Sequence, residues 1–342
     1  YAYYGVNKLN YVETIEKFMN NETILSSVQE GTFSGHWVAD SEISATNQLT
    51  DVSSNSITFI KKDEIAKTFR RLQEGVNPEL EVSLYLQKKT EFDQFPNLKG
   101  YINYTGAAEQ EYSIALFQEF IENEGDLWEY TQRHLTELFT HLDSDQREQK
   151  VDNLIDKYQS LTAEVGKTVG ELHLSLAKIE EESFTPRSPR KQELTIWQQG
   201  VKNNFELLLE YLKSKKEELT EHQQIIEALL AWEGNIEETV ESVFSLQDKL
   251  GKFMRCHGDL HLEQLLKTGD QIMVLDFEGE PTRDIEARRK KYSPLKDIAG
   301  MLRSYNYAGY AGYFNNLDNF HYEDEMLELI GNWEDRVIDT FL

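Results

Sequence analysis

Residues 255–281 read RCHGDLHLEQLLKTGDQIMVLDFEGEP, and this stretch narrows the folds open to the chain more than any other. It sets Asp259 and Gln264 five residues apart, with Asp276 twelve residues beyond Gln264. Gly269-Asp270 marks a turn, and QIMVLDFEG is a short apolar strand that ends in carboxylates. The sequence on both sides is helical in pattern. The fold must therefore carry a polar loop and a β-hairpin inside a helical body.

A loop that moves a phosphoryl group needs a carboxylate to accept the acceptor's proton. It also needs an amide oxygen and a second carboxylate to hold magnesium against nucleotide phosphates. Protein kinases place Asp and Asn five apart in that loop and begin an Asp-Phe-Gly triplet with the second metal ligand. Here Gln264 stands in the Asn position and Asp276-Phe-Glu-Gly in that of the triplet, which makes Asp259 the candidate base and Gln264 and Asp276 the candidate Mg²⁺ ligands. Two other readings compete. His257, Asp259 and His261 alternate along an extended chain and could share a metal, although a hydrolytic site needs further ligands and an open position. The stretch could also be a polar loop without chemistry. Cys256, the single cysteine, suits a buried small hydrophobe better than a thiol catalyst.

Upstream the pattern divides in two. Val12, Ile15, Phe18 and Met19 share one face of a short helix. SSNSITF and DEIAKTF read as a hairpin, with Lys61-Lys62-Asp63-Glu64 as its turn. LKGYINYTG and YSIALFQEFI are two more strands, around a GAAEQE turn. NPELEVSLYLQKK opens a helix with Asn77 as cap and Pro78 at its first position. From about residue 126 the pattern changes to helices, and residues 225–250 show apolar residues at helical spacing.

A nucleotide site built on the strands needs a lysine for the phosphates and a helix glutamate to pair with it. Lys67 lies mid-strand, on the face of Ile65 and Phe69. Glu81 is preferred over Glu79 as its partner, because Glu79 suits the positive N-terminal end of the helix. No Gly-rich phosphate loop is present, so Ser53, Ser54, Asn55 and Ser56 are expected to cover the phosphates. The backbone of Glu119, Phe120 and Ile121 is expected to meet the adenine.

With 35 basic against 61 acidic residues and a formal charge of −26, nucleic acid and anionic membrane are poor partners. No apolar run reaches the roughly 20 residues of a membrane span, and one cysteine fits a reducing cytoplasmic setting.

The blocks KTFRRLQEGVNPELEV, RCHGDLHLEQLL, VLDFEGEP and SPLKDIAGMLRSYNYA resemble the maltokinases, members of the aminoglycoside-phosphotransferase-like, eukaryotic-kinase-like group. The resemblance runs over about residues 50–342. It implies an α+β, bilobal, protein-kinase-like fold with an N-terminal cap over 1–50, a β-rich nucleotide-binding lobe over 51–121 and a helical lobe over 122–342. It implies ATP and Mg²⁺ as cofactors, and maltose phosphorylation to maltose 1-phosphate. It casts Asp259 as the base, Lys67 as the phosphate-binding lysine and His257 and Asp297 as structural support. His261, Glu278, Arg303 and Tyr305 are the candidate acceptor contacts. Alternatives are a kinase of the same fold for glucosamine, another sugar or an aminoglycoside, and a non-catalytic nucleotide-binding domain. Tyr1 and the amphipathic run to Leu342 suggest a piece of a longer polypeptide, with a trehalose synthase domain as its expected partner.

Overall fold

A computed structural model describes residues 11–20, 24–27, 30–38, 48–50, 55–144, 146–216, 218, 223–245, 249 and 251–342. Two compact units emerge, one from residues 1–185 and 255–342, the other from 186–254.

The first unit begins with α1 (Tyr11–Asn20) and an antiparallel sheet of seven strands. In chain order these are β1 (Leu25–Ser26), β2 (Thr32–Trp37), β3 (Gln48–Thr50), β4 (Ser56–Phe59), β5 (Glu64–Thr68), β6 (Leu98–Thr105) and β7 (Glu111–Glu119). Their spatial order is β1-β2-β6-β7-β5-β4-β3. The period-two alternation of strands assigns the two faces. Ala66, Ala115 and Phe117 face Ile15, Phe18 and Met19 of α1. Leu98 and Leu116 face the other way, towards Leu80 of α2 (Pro78–Lys89). Lys67 is in register with Leu116, so it lies on the α2 face, and this fact positions the whole site.

The described part of residues 1–50 is built into this sheet rather than standing apart as a cap. β2 pairs with β6 from Thr32↔Thr105 to Trp37↔Gly100, and α1 supplies part of the core. The expected boundary at residue 50 therefore runs through one hydrogen-bonded layer.

The helical part contains α3 (Leu127–Thr140), α4 (Arg147–Lys178), α8 (Ile285–Arg288), α9 (Leu295–Asn316) and α10 (Glu323–Phe341), with the hairpin β8 (Leu265–Thr268) and β9 (Gln271–Val274) among them. Trp333 is fully buried and meets Tyr158 of α4 and Tyr305 of α9 at 5.4 and 6.4 Å between ring centroids. The α+β class expected from the sequence is what the chain adopts. Among the described residues, no helix is long and apolar enough to cross a membrane.

The second unit is helical: α5 (Lys191–Lys215), α6 (Gln223–Ala231) and α7 (Ile236–Ser245). The helical spacing read over residues 225–250 contains a 3₁₀ turn at Trp232–Asn235. Gly234 lies in that turn, where its conformational freedom weakens a continuous α-helix. Leu194, Leu209, Leu212, Ile226, Val240, Phe253 and Met254 are buried in this unit, and Trp197 packs on Phe253 at 5.2 Å.

One buried group in the first unit gives a pH prediction. His134 is 8% exposed and stacks on Tyr158 at 4.5 Å. Its Nε2 has no hydrogen-bond partner among the described residues. Burial, assisted by Lys157, pushes its imidazole down to about 4. The fold thus prefers the neutral ring. Its contribution is complete above the ordinary value of 6.5 and is lost as pH falls towards 4, by up to ~3 kcal/mol. His134→Phe keeps the stack and cannot titrate. Its melting temperature should fall less steeply than wild type between about pH 6.5 and about pH 4, as thermal unfolding across that range would show.

Candidate active site

A cavity of about 460 Å³ lies between the sheet and the β8–β9 hairpin. Ile57, Ile65, Leu266 and Phe277 give it apolar walls, and Lys67, Glu79 and Asp276, with the amide of Gln264, give it a charged end. Glu119, Phe120 and Ile121 line it as well. The N–H groups of Glu119 and Phe120 donate to the carbonyls of Asn97 and Asp63 at 3.0 and 2.8 Å. Those two residues would therefore meet a base through other atoms.

At the charged end, Lys67 Nζ lies 2.5 Å from Glu79, 2.9 Å from Asp276 and 2.9 Å from Glu278. Burial alone would lower the Lys67 ammonium, but the three carboxylates outweigh it and push it well above its ordinary value. Burial would likewise raise Asp276, yet Lys67 holds it below the ordinary carboxylate range. Glu79 goes the other way. Its complete burial and the charges of Asp276 and Glu278 outweigh the attraction of Lys67, pushing it up.

The partner of Lys67 is thus Glu79, which corrects the preference for Glu81. The Asn77 side chain caps α2 by accepting from the Glu79 N–H at 2.8 Å. With the N-terminal end already capped, the Glu79 carboxylate can reach under the sheet. Glu81, two residues on, points elsewhere and is held by Arg255 and Arg289 at 2.8 and 2.7 Å.

The segment expected to cover the phosphates is described only in part. Ser53 and Ser54 lie outside the described residues. Asn55 donates to Glu278 at 2.5 Å, while the Ser56 hydroxyl accepts from Arg70 at 3.0 Å. Glu278 therefore groups with Lys67 and Asn55 and, unlike His261 and Arg303, does not line the second cavity described below, away from the other residues the sequence grouped with it as acceptor contacts.

The residues suit a magnesium ion. Carboxylate oxygens of Glu79, Asp276 and Glu278 all lie within 4.8 Å of one another, with Lys67 among them and Arg288 3.6 Å from Glu278. The Gln264 amide nitrogen lies 3.2 Å from His261 Nε2. Donation there leaves the amide oxygen to meet a cation. Such hard oxygen donors are what Mg²⁺ takes.

The loop carrying Asp259 is braced from α9. Asp297 accepts from the backbone N–H groups of His257 and Gly258 at 2.9 and 2.8 Å. It also contacts His173 Nε2 at 2.8 Å. Burial would raise this carboxyl, but the His173 hydrogen bond, the nearby histidines and the Gly258 N–H hold it below the usual range. His257 Nε2 lies 2.7 Å from the Leu275 carbonyl, which ties the loop to the strand before Asp276. Gly300 lets α9 come this close, since a Cβ there would stand 2.4 Å from the Leu260 carbonyl oxygen. Cys256 is buried beside the loop. Burial and Asp297 push its thiol above its ordinary range, so it is poorly suited to nucleophilic chemistry.

Asp259 opens into a second cavity of about 400 Å³, also lined by Trp128, His261, Glu263, Arg303 and Tyr307. Of the candidate acceptor contacts, His261 and Arg303 line this cavity. Tyr305 does not. It is 1% exposed, packed on Trp333 and Phe341. On a helix, Arg303 and Tyr307 share a face and Tyr305 points away from it, so the helical period carried the signal for Tyr307. Arg303 sits over the Tyr307 ring at 4.6 Å and donates to its hydroxyl at 3.1 Å. Nothing in the local sequence marks Trp128, which reaches the cavity from α3. Glu263 lines both cavities.

No family model matches the chain. It is 26% identical over 258 residues to a glucosamine kinase of Mycolicibacterium smegmatis, a match covering 75% of this chain and 57% of that protein. A glucosamine kinase of Streptacidiphilus jiangxiensis is 27% identical over 92 residues, 27% of this chain and 20% of that one. These matches span little more than half of the first relative and a fifth of the second. A solved glucosamine kinase in complex with glucosamine, ADP and inorganic phosphate superposes with a TM-score of 0.69 at 16% identity, covering 97% of this chain and 72% of that one. That likeness shows a kinase-like fold.

Proposed function

We propose that this chain carries the catalytic part of an ATP-dependent sugar kinase whose acceptor is an amino sugar of the glucosamine type. One observation carries the reading: Asp259 opens on a polar and aromatic cavity that shares Glu263 with the pocket holding Lys67 and Asp276. An acceptor hydroxyl beside Asp259 can lose its proton to that carboxylate as its oxygen bonds to the γ-phosphorus. The bond from phosphorus to the bridging oxygen breaks, and ADP leaves. Lys67 meets the nucleotide phosphates, and Asp297 keeps Asp259 in place. Magnesium, when held by Asp276 and Gln264, would neutralise phosphate charge.

The acceptor class rests on the second cavity and on the relatives. Trp128 and Tyr307 offer aromatic faces to a sugar ring. Asp259 and Glu263 offer negative charge to an ammonium group. The matched proteins are glucosamine kinases, which favours an amino sugar over the maltose implied by the sequence motifs. ADP release should be measured with glucosamine, maltose and kanamycin in turn. Glucosamine should give the highest kcat/KM. A preference for maltose would restore the maltokinase reading and the association with trehalose synthase that goes with it.

A further inference from the structure

α2 carries two glutamates that serve different parts of the site. Glu79 reaches Lys67. Glu81, 6% exposed, accepts from Arg255 at 2.8 Å and from Arg289 at 2.9 and 2.7 Å. Arg255, 1% exposed, also donates to the Arg289 carbonyl at 2.7 Å, which closes the cluster into a ring. Arg255 is four residues before Asp259 in the chain. Arg289 follows Arg288, which donates to the Glu278 carbonyl at 3.2 Å and to the Gln73 side chain.

We propose that Glu81, Arg255 and Arg289 form an ionic clamp that positions α2 against the Asp259 loop, so that the Lys67–Glu79 pair is set before nucleotide arrives. The proposal rests on the phosphotransfer reading for its kinetic consequences. These three are positioning residues, since none of them lines either cavity. The geometry is suited to the task. One carboxylate is shared by two guanidiniums, and guanidinium–carboxylate pairs fix direction as well as distance. Arg255 and Arg289 reach it from the two ends of the segment that contains the base and the metal-binding carboxylates. A shift of α2 would move Glu79 away from Lys67, while the clamp anchors the same helix to the loop that holds Asp259.

Arg289 is the residue to test. Its side chain is 35% exposed, and its loss leaves Arg255 and Glu81 to neutralise each other. Glu81→Gln, in contrast, strands a buried guanidinium and risks unfolding the chain. Arg289→Met should fold with a melting temperature near wild type and an unchanged KM for the acceptor. Its kcat should fall roughly tenfold or more, the scale seen when a group that orients a ligand's neighbours is lost. Arg289→Lys, which keeps the charge but not the fork, should recover part of that rate. Hydrogen exchange over residues 78–89 should quicken in Arg289→Met, a readout that does not depend on the reaction. If wild type transfers no phosphate while that exchange quickens, the phosphotransfer reading fails and the clamp stands. Unchanged exchange over 78–89 would overturn the proposal. So would a kcat within about twofold of wild type in an enzyme that is active.

Discussion

Asp259→Asn should lower turnover by roughly 10²–10⁴-fold and leave nucleotide binding intact. The substitution keeps shape and polarity and removes the ability to take a proton. The loop's geometry does not depend on it, because Asp297 holds the His257 and Gly258 N–H groups and His257 anchors to Leu275. Asp259 itself is half-buried at the wall of the second cavity, where an acceptor would sit. Steady-state kinetics at saturating acceptor should therefore show the loss in kcat. Calorimetric titration with Mg·ADP should give a wild-type affinity. A variant with near wild-type kcat would remove Asp259 from the chemistry, and one that failed to bind nucleotide would point to a folding role.

Lys67→Met should be nearly as damaging, through the other half of the site. Lys67 reaches all three of Glu79, Asp276 and Glu278, while Arg288 lies 3.6 Å from Glu278. Met preserves the volume of the stem and deletes the charge. Three acidic groups are then left facing the phosphates with no lysine between them. We expect a raised KM for ATP and a kcat lower by roughly 10²-fold or more, on the scale of losing a preorganised electrostatic contact. The acceptor KM should hardly move. The folded state should also lose stability, by ~3–5 kcal/mol if the buried carboxylates stay ionised. Partial uptake of protons by Glu79, already raised, would reduce that loss. Lys61→Met is the control, since Lys61 sits in the β4–β5 turn with Glu64 at 3.4 Å. The assignment fails if Lys61→Met reproduces the kinetic defect and Lys67→Met does not.

Much of this site could be read from the chain because its chemistry is local. Asp259, Gln264 and Asp276 follow one another within a loop and a hairpin, so their spacing constrains where they fall. The face of Lys67 followed from the two-residue period of a strand. What the sequence hid was decided by tertiary partners. The choice between Glu79 and Glu81 turned on Arg255 and Arg289, both distant in the chain, which hold Glu81. Tyr305 was misplaced because an aromatic residue near a cavity and one buried against Trp333 look alike until the helix is docked. Glu278, two residues after Asp276, shares Lys67 with it and also accepts from Asn55, which is far away in the chain.

The most direct test of the whole account is phosphorus NMR of the wild-type chain with Mg·ATP and glucosamine. We expect a new phosphomonoester signal that grows in step with ADP, vanishes when the sugar is omitted, and is suppressed in Asp259→Asn. ATP left unconsumed, or converted only to ADP and inorganic phosphate, in a sample that binds Mg·ADP would contradict phosphoryl transfer to a sugar by this site.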